Sequence, residues 1–341
     1  MECGAGNGSV RHAAPGVKTG LVDRGARAYL KRRPPTALLP HSPMTSQLSL
    51  WSAYRLGVRL GSRWPGTAAR RLRRVASLLR YPPNLVAWLT PIDYVRWREL
   101  EFALAAVRRF KPDARSVLDI SSPKLLPVTL AAALPGAAVR ATDIVDDEVA
   151  HARRAAAELG LRNLAAELAD ARALEYADGS FDLITSVSVF EHIAPERDGD
   201  VPAAREMGRV LAPGGIAVLT VPFAREYFAE YRAGSVYERQ AGGDERIFFQ
   251  RFYNEATLRR GIVDPSGLEV VSLEFIDERH FSADPHTRMA HYVNATAWQK
   301  LVFGLWYYPL SRVFLSPPRP LAQCGKPYLA CVVLRKAGIR D

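Results

Sequence analysis

Cysteine is scarce in this chain of 341 residues. Cys3, Cys324 and Cys331 share no metal-ligand spacing and are too few for a disulfide framework. No metal site is expected, and a reducing, cytoplasmic setting fits best. A long uninterrupted apolar run is missing too. The most apolar late stretch, residues 297–315, is interrupted by Lys300, Pro309 and Arg312 and is short for a membrane span. It predicts a packed or interfacial helix. The apolar run of a secretory signal is not seen, and there are no internal repeats. Acids are rare only at one end: residues 1–80 hold 15 of the 46 Lys and Arg but only Glu2 and Asp23 of the 35 acids, a net of +13. The remaining 31 basic and 33 acidic residues sum to −2, so the +11 of the whole chain belongs to its first segment. A near-neutral remainder argues against a nucleic-acid partner.

With 48% hydrophobic residues, the chain can bury one good-sized core. Residues 1–43, rich in Gly, Pro, Ala and Arg, predict a disordered extension, with Met44 an alternative start. Residues 44–91 read as a basic amphipathic helical segment, carrying Trp51 and Trp64 among seven arginines between 55 and 74. Its apolar faces are expected to pack on the domain; weak peripheral membrane contact through 48–80 or 297–315, at an inner membrane face, is the alternative. The main domain spans 92–336. It opens with an aromatic helix over 92–110 in which Tyr94, Arg96 and Arg98 face either a pocket or packed neighbours.

From residue 115 to 223 short apolar runs alternate with helical stretches, notably 147–159 and 201–211. Runs end at Asp119, at Asp143 and, more weakly, at Asp170; a fourth covers 181–186 and a fifth 215–221, after the turn Ala-Pro-Gly-Gly at 212–215. This alternation predicts a doubly wound, mostly parallel α/β sheet. Ligands of such sheets bind outside the carboxyl ends of the strands, where these acids fall. Asp also terminates strands and caps helices, but three at successive strand ends favour ligand binding. A carboxylate after the second strand is placed to accept from two ribose hydroxyls, which assigns that role to Asp143.

The order Val-Leu-Asp119, Thr-Asp143, Ala-Asp170-Ala171, Ser-Phe-Asp-Leu-Ile at 180–184, Phe-Glu191-His192-Ile and Arg-Val-Leu-Ala-Pro-Gly-Gly at 209–215 resembles the class I S-adenosylmethionine-dependent methyltransferases. The resemblance covers roughly 115–221. It implies a seven-stranded Rossmann-like sheet with an antiparallel last strand, S-adenosylmethionine as cofactor, and a small organic or lipid-linked acceptor methylated on O, N or C. By the same resemblance Asp119 with Ser121 and Ser122 holds the cofactor's amino acid end, Asp143 the ribose with Ile144 beside it, and Asp170 and Ala171 the adenine edge. Ser186 lies next to the cofactor. One departure is plain: where the family carries a glycine-rich loop, residues 119–124 read Asp-Ile-Ser-Ser-Pro-Lys. That keeps a second reading open, a catalytically inactive domain acting as a binding partner. The lack of a glycine fingerprint also disfavours a dinucleotide oxidoreductase.

For proton removal His192 is the candidate, oriented by Glu191, the alternative being a helix-capping or packing role. The aromatic-rich stretch 223–255 predicts a cap over the strand ends with a flexible point at 241–243. Residues 254–262 predict a helix, and 268–275 and 328–335 an edge pair of strands separated by a long insertion, 277–326. The oligomeric state is not legible.

Overall fold

The computed structural model describes residues 48–62, 92–233, 236–237, 239, 245–279 and 306–338. The extension 1–43, the second basic helix after residue 62, the flexible point at 241–243 and residues 280–305 of the insertion lie outside them. In chain order the elements are α1 (Leu50–Ser62), α2 (Arg96–Phe110), β1 (Ser116–Ile120), α3 (Leu125–Ala133), β2 (Ala138–Asp143), α4 (Asp146–Leu159), β3 (Leu164–Leu168) and β4 (Phe181–Val187). A single 3₁₀ turn (Phe190–His192) leads to α5 (Asp200–Val210), β5 (Leu211–Pro222), β6 (Phe228–Ala233) and β7 (Arg246–Phe252). Then come α6, which begins as Glu255–Leu258 and runs on through a π turn (Arg259–Val263) to Asp264–Ser266, β8 (Glu269–Asp277), α7 (Tyr307–Phe314) and β9 (Pro327–Arg335).

Seven strands form one sheet in the order β3-β2-β1-β4-β5-β9-β8. The pairings from β3 to β5 are parallel, and β9 runs antiparallel to both of its neighbours. Strand order reverses between β1 and β4, so that is where a ligand site belongs. Alternation along β1 sends Val117 to one core and Leu118 to the other. The first core lies under α1, α2, α3 and α4; the second lies under α5 and α6.

Local sequence explains where elements stop. Helix α4 carries Asp146, Asp147 and Glu148 in its first turn, complementing the helix dipole, and ends on Gly160 at φ +70°. Asn254 and Thr257 form a reciprocal capping box at the start of α6. That helix runs past the expected end at residue 262 to Ser266, because Gly208 and Gly261 let it close on α5. A Cβ on Gly208 would lie 2.0 Å from the Ser266 carbonyl oxygen, and one on Gly261 would lie 2.3 Å from Asp200 Oδ2.

Three further boundaries differ from the sequence reading. Helix α2 begins at Arg96, whose N–H donates to Asp93 Oδ1 at 3.0 Å. Strand β5 starts at Leu211 instead of at Gly215, pairing Leu211 with Phe181 across an irregularity. The cap stretch is a two-stranded antiparallel hairpin, β6–β7.

The first basic helix packs on the domain. Its Trp51 and Tyr54 join Trp97 of α2 and Tyr308 of α7 in one ring cluster, with centroids 4.9–6.0 Å apart. Arg98 is buried there, donating through Nη2 to the Leu315 carbonyl at 2.9 Å. No described helix is long and apolar enough to cross a membrane.

Candidate functional site

The loop after β1 holds its shape without glycine. Ser121 takes φ +52°, the left-handed region that glycine ordinarily fills, at a cost of about 1 kcal/mol. Compensation comes from hydrogen bonds: Ser121 N–H donates to Thr142 O at 2.9 Å, and the Val187 N–H donates to Ser122 Oγ, also at 2.9 Å. Ser186 Oγ donates to Ile120 O at 3.2 Å. Asp119, 1% exposed, accepts from Thr185 Oγ1 at 2.6 Å on one oxygen and from Ser122 N–H at 3.1 Å on the other. Burial pushes its carboxyl up to about 6. One oxygen is thus tied to β4 and the other to the turn.

At the end of β2, Asp143 Oδ1 accepts from Val145 N–H at 3.0 Å and Oδ2 accepts from Lys124 Nζ. Glu148 lies 4.0 Å from the same ammonium. Ile144, next to Asp143, leaves 39% of its surface in solvent, unusual for a large apolar side chain. After β3, Asp170 is gripped by Arg172, whose Nε and Nη2 reach both carboxylate oxygens, at 3.0 and 2.7 Å respectively. The guanidinium holds that carboxyl below its usual range. Ala171 follows, packed in part against the second core. Each strand-end acid therefore has a partner, and two of the partners are cations, Lys124 and Arg172, that the sequence reading passed over. Their sequence signal is slight: a lysine five residues after Asp119 and an arginine two after Asp170.

Beyond β4, α2 is tied to the strand ends by a residue that sequence reasoning also missed. Glu99, fully buried, accepts from Ser188 Oγ, from Thr220 Oγ1 at 2.8 Å and from Arg96 Nη1. It sits three and four residues before Phe102 and Ala103, in the helix's apolar stripe, and an acid in such a stripe is the signal. Arg96 thus belongs to the site's charge network.

The 3₁₀ turn presents Glu191 and His192 beneath the hairpin. His192 Nδ1 lies 2.7 Å from the Phe249 carbonyl, which can only accept, so Nδ1 carries the proton and Nε2 keeps its lone pair. Nε2 is 3.7 Å from Glu191 Oε1. Burial lowers the imidazole to about 4, leaving it neutral at pH 7. Glu191 is 1% exposed, and its Oε2 has no hydrogen-bond partner among the described residues. Burial pushes its carboxyl up to about 8. Tyr237 and Phe249 close over the imidazole, with ring centroids 5.2 and 4.9 Å away.

A pH signature follows. Folded Glu191 keeps its proton to about pH 8, while the unfolded chain releases it near 4.5. Between those values the native state binds the extra proton, so stability falls as pH rises. In the upper part of this range the unfolded chain also finishes releasing the His192 proton, near 6.5, and Asp119, at about 6, loses its last protons, but these slopes are common to wild type and a Glu191 variant. Glu191→Gln is expected to flatten the decline of Tm between pH 6.5 and 8 and to raise Tm at pH 8 by about 2–4 °C per kcal/mol recovered. Thermal melts across that window check it; parallel slopes for the two proteins would contradict it.

Residues 119–219 match the family described as "Methyltransferase domain". This segment is a class I methyltransferase domain. Among curated proteins, the chain is 37% identical over 100 residues to the methyltransferase GfsG of Streptomyces halstedii, covering 29% of this chain and 34% of that protein. It is 36% identical over 130 residues to the demethylmenaquinone methyltransferase of Thermus thermophilus, covering 38% and 55%. The matches thus span between about a third and just over half of those relatives' lengths. Among solved structures, an S-adenosylmethionine-dependent methyltransferase from Methanosarcina mazei aligns at 16% identity over 68% of this chain and 97% of that one, with a TM-score of 0.44. The matched segment contains every strand-end acid, both loop serines, Ile144, Ser186, Glu191 and His192. The β6–β7 hairpin, β8 and β9 lie beyond it.

Proposed function

We propose that the chain transfers a methyl group from S-adenosylmethionine to a small organic or lipid-linked acceptor by in-line displacement. The observation that carries this reading is the placement of the β1 loop, Asp143 with Ile144, and Asp170 along one sheet edge, all inside the methyltransferase-family segment. The residues fit the cofactor. Ile144 leaves an apolar surface beside the Asp143 carboxylate, as an adenosine requires, and Lys124 has Glu148 to turn toward when ribose hydroxyls take Oδ2. Asp119, Ser121 and Ser122 would line the amino acid end, Ser186 would lie beside the cofactor, and Asp170 and Ala171 would meet the adenine edge.

When bound, S-adenosylmethionine supplies a sulfonium-activated methyl group. The protein's work is then to place the acceptor and exclude water. The ring surfaces of Tyr237 and Phe249 serve exclusion. An acceptor that carries a proton would lose it to His192 Nε2, a neutral base oriented through Nδ1. Glu191, protonated at neutral pH, adds no negative charge beside it.

Calorimetric titration of the full chain with S-adenosylmethionine and with S-adenosylhomocysteine tests the reading, with micromolar binding of both expected. A folded sample that binds neither favours the second reading, a binding module without methyl transfer. The observation on that side is that Lys124 and Arg172 already neutralise two of the three acids.

A further inference from the structure

Two amphipathic helices that the site leaves unused share one face. Of the six large hydrophobic side chains that stay exposed among the described residues, three belong to α1 and α7: Trp51 at 51%, Trp306 at 60% and Val313 at 58%. The helices meet through Trp51 and Tyr308, whose rings lie 5.2 Å apart. Trp306, Pro309 and Val313 follow one another by three and four positions, so they form one outward stripe at α7, opposite the buried Tyr307 and Ser311. On α1 the exposed pair is Trp51 and Arg55, four positions apart, while Ala53 and Gly57 face inward.

Charge decides between occupants. Neither helix contains an acid, and residues 44–80 carry eight arginines with no Asp or Glu. Arg55 meets only Ser52 Oγ, at 3.5 Å, among the described residues. Glu101 of α2, which reaches α7, is shared by Arg98 at 2.9 Å and Arg312 at 2.8 Å, so it adds little negative charge. Exposed rings beside arginine suit a surface that is apolar within and anionic outside, with tryptophan at the boundary. A second copy of this face would set cation against cation.

We propose that the face shared by α1 and α7 docks the protein on an anionic phospholipid bilayer. Trp51, Trp306 and Val313 enter the headgroup boundary, and Arg55 meets lipid phosphates. This face is tied to the site through α2. Trp97 packs on Tyr308 at 4.9 Å, and Arg98 donates to Leu315 O, just past α7, at 2.9 Å. Arg96 and Glu99 flank those two residues, and Glu99 holds Ser188 at the end of β4. Helix α2 thus joins the docked face to the strand ends, which suits an acceptor held in lipid. That last step rests on the methyl-transfer reading; docking does not.

The test is flotation of the full chain, without cofactor, on phosphatidylcholine vesicles with and without phosphatidylglycerol. Binding is expected only where phosphatidylglycerol is present. Trp306→Glu and Val313→Glu should each weaken it roughly tenfold, the worth of one apolar side chain removed from water. Arg55→Gln should weaken it about fivefold, one cation's share at an anionic surface. All three side chains are exposed, and thermal melts confirm that each variant is folded. Arg55→Gln keeps the test decisive if an α7 variant misfolds. Folded protein that floats with neither vesicle, equal binding to both, or variants that float like wild type would overturn the proposal. Dimerisation that Trp306→Glu abolishes would give the face to a second copy and overturn it as well. Flotation of a protein that ignores S-adenosylmethionine would uphold the face while removing the methyl-transfer reading. Cofactor binding without flotation would do the reverse.

Discussion

Arg251→Met is expected to lower the unfolding free energy by about 3–5 kcal/mol, the scale for removing one partner of a buried ion pair. Arg251, on β7, is 2% exposed. Its Nη1 donates to Phe190 O at 2.9 Å, and its Nη2 to the carbonyls of Ile193 and Pro195, both at 2.7 Å. Asp200 Oδ2 lies 3.5 Å from Nη1 and accepts from Tyr253 O–H at 2.7 Å. Methionine keeps the apolar stem but strands the Ile193 carbonyl, leaves the Phe190 and Pro195 carbonyls with only the N–H groups of Ile193 and Gly199, and leaves Asp200, 4% exposed, with Tyr253 O–H and no cation. The substitution relieves the cost of burying the guanidinium, but it leaves the Ile193 carbonyl without a donor and the buried Asp200 carboxylate without its cation. Urea unfolding reads the free energy, and a loss under about 1 kcal/mol would mean that water replaces the guanidinium. Adding Asp200→Asn should restore part of the loss, because it removes the uncompensated charge.

The same residue bears on the site. Arg251 fastens the hairpin to the segment that carries Glu191 and His192, and His192 is held in turn by Phe249 of that hairpin. Hydrogen exchange in Arg251→Met should therefore accelerate first in β6, β7 and the 3₁₀ turn, ahead of β1 and β4.

Sequence made the sheet legible because buried parallel strands need continuous apolar runs, and those runs stop at residues that cannot stay inside. Val-Leu-Asp119 and Ala-Thr-Asp143 carry both signals, and Gly160 marks a helix end that only a residue at ease with positive φ can make. What escaped the reading depends on how loops turn in space. Lys124 reaches Asp143 because the chain folds back after Ser121, whose positive φ a serine does not advertise. Arg172 meets Asp170 through a tight turn with its own hydrogen bond, from Arg172 N–H to Asp170 Oδ1 at 2.9 Å. The hairpin was legible as an aromatic cap but not as strands. The ring contacts between Phe228 and Phe252 and between Tyr231 and Phe248 cross between two runs joined through a long connection, and no local period reports on that pairing.

Substitutions at Asp143 and Lys124 should move cofactor affinity in opposite directions. Asp143→Ala removes the proposed ribose acceptor and is expected to weaken binding of S-adenosylhomocysteine by about 1.5–3 kcal/mol, the range for hydrogen bonds to a charged group. Lys124→Gln removes the ammonium that competes with ribose for Asp143 Oδ2. The two side chains are 16% and 11% exposed, so this pair is screened less than a surface pair, and its removal should tighten binding by about 1 kcal/mol, roughly fivefold. The two effects share one carboxylate and cannot be additive: in the double variant the gain from Lys124→Gln should vanish, because no competition remains. Calorimetry on the four proteins of this cycle reads the coupling directly. A weaker Lys124→Gln that stays weaker in the Asp143→Ala background would instead put the ammonium on the cofactor's own carboxylate. In that case the serine-and-proline loop recognises the amino acid end through a side-chain cation, where a glycine-rich loop offers backbone N–H groups.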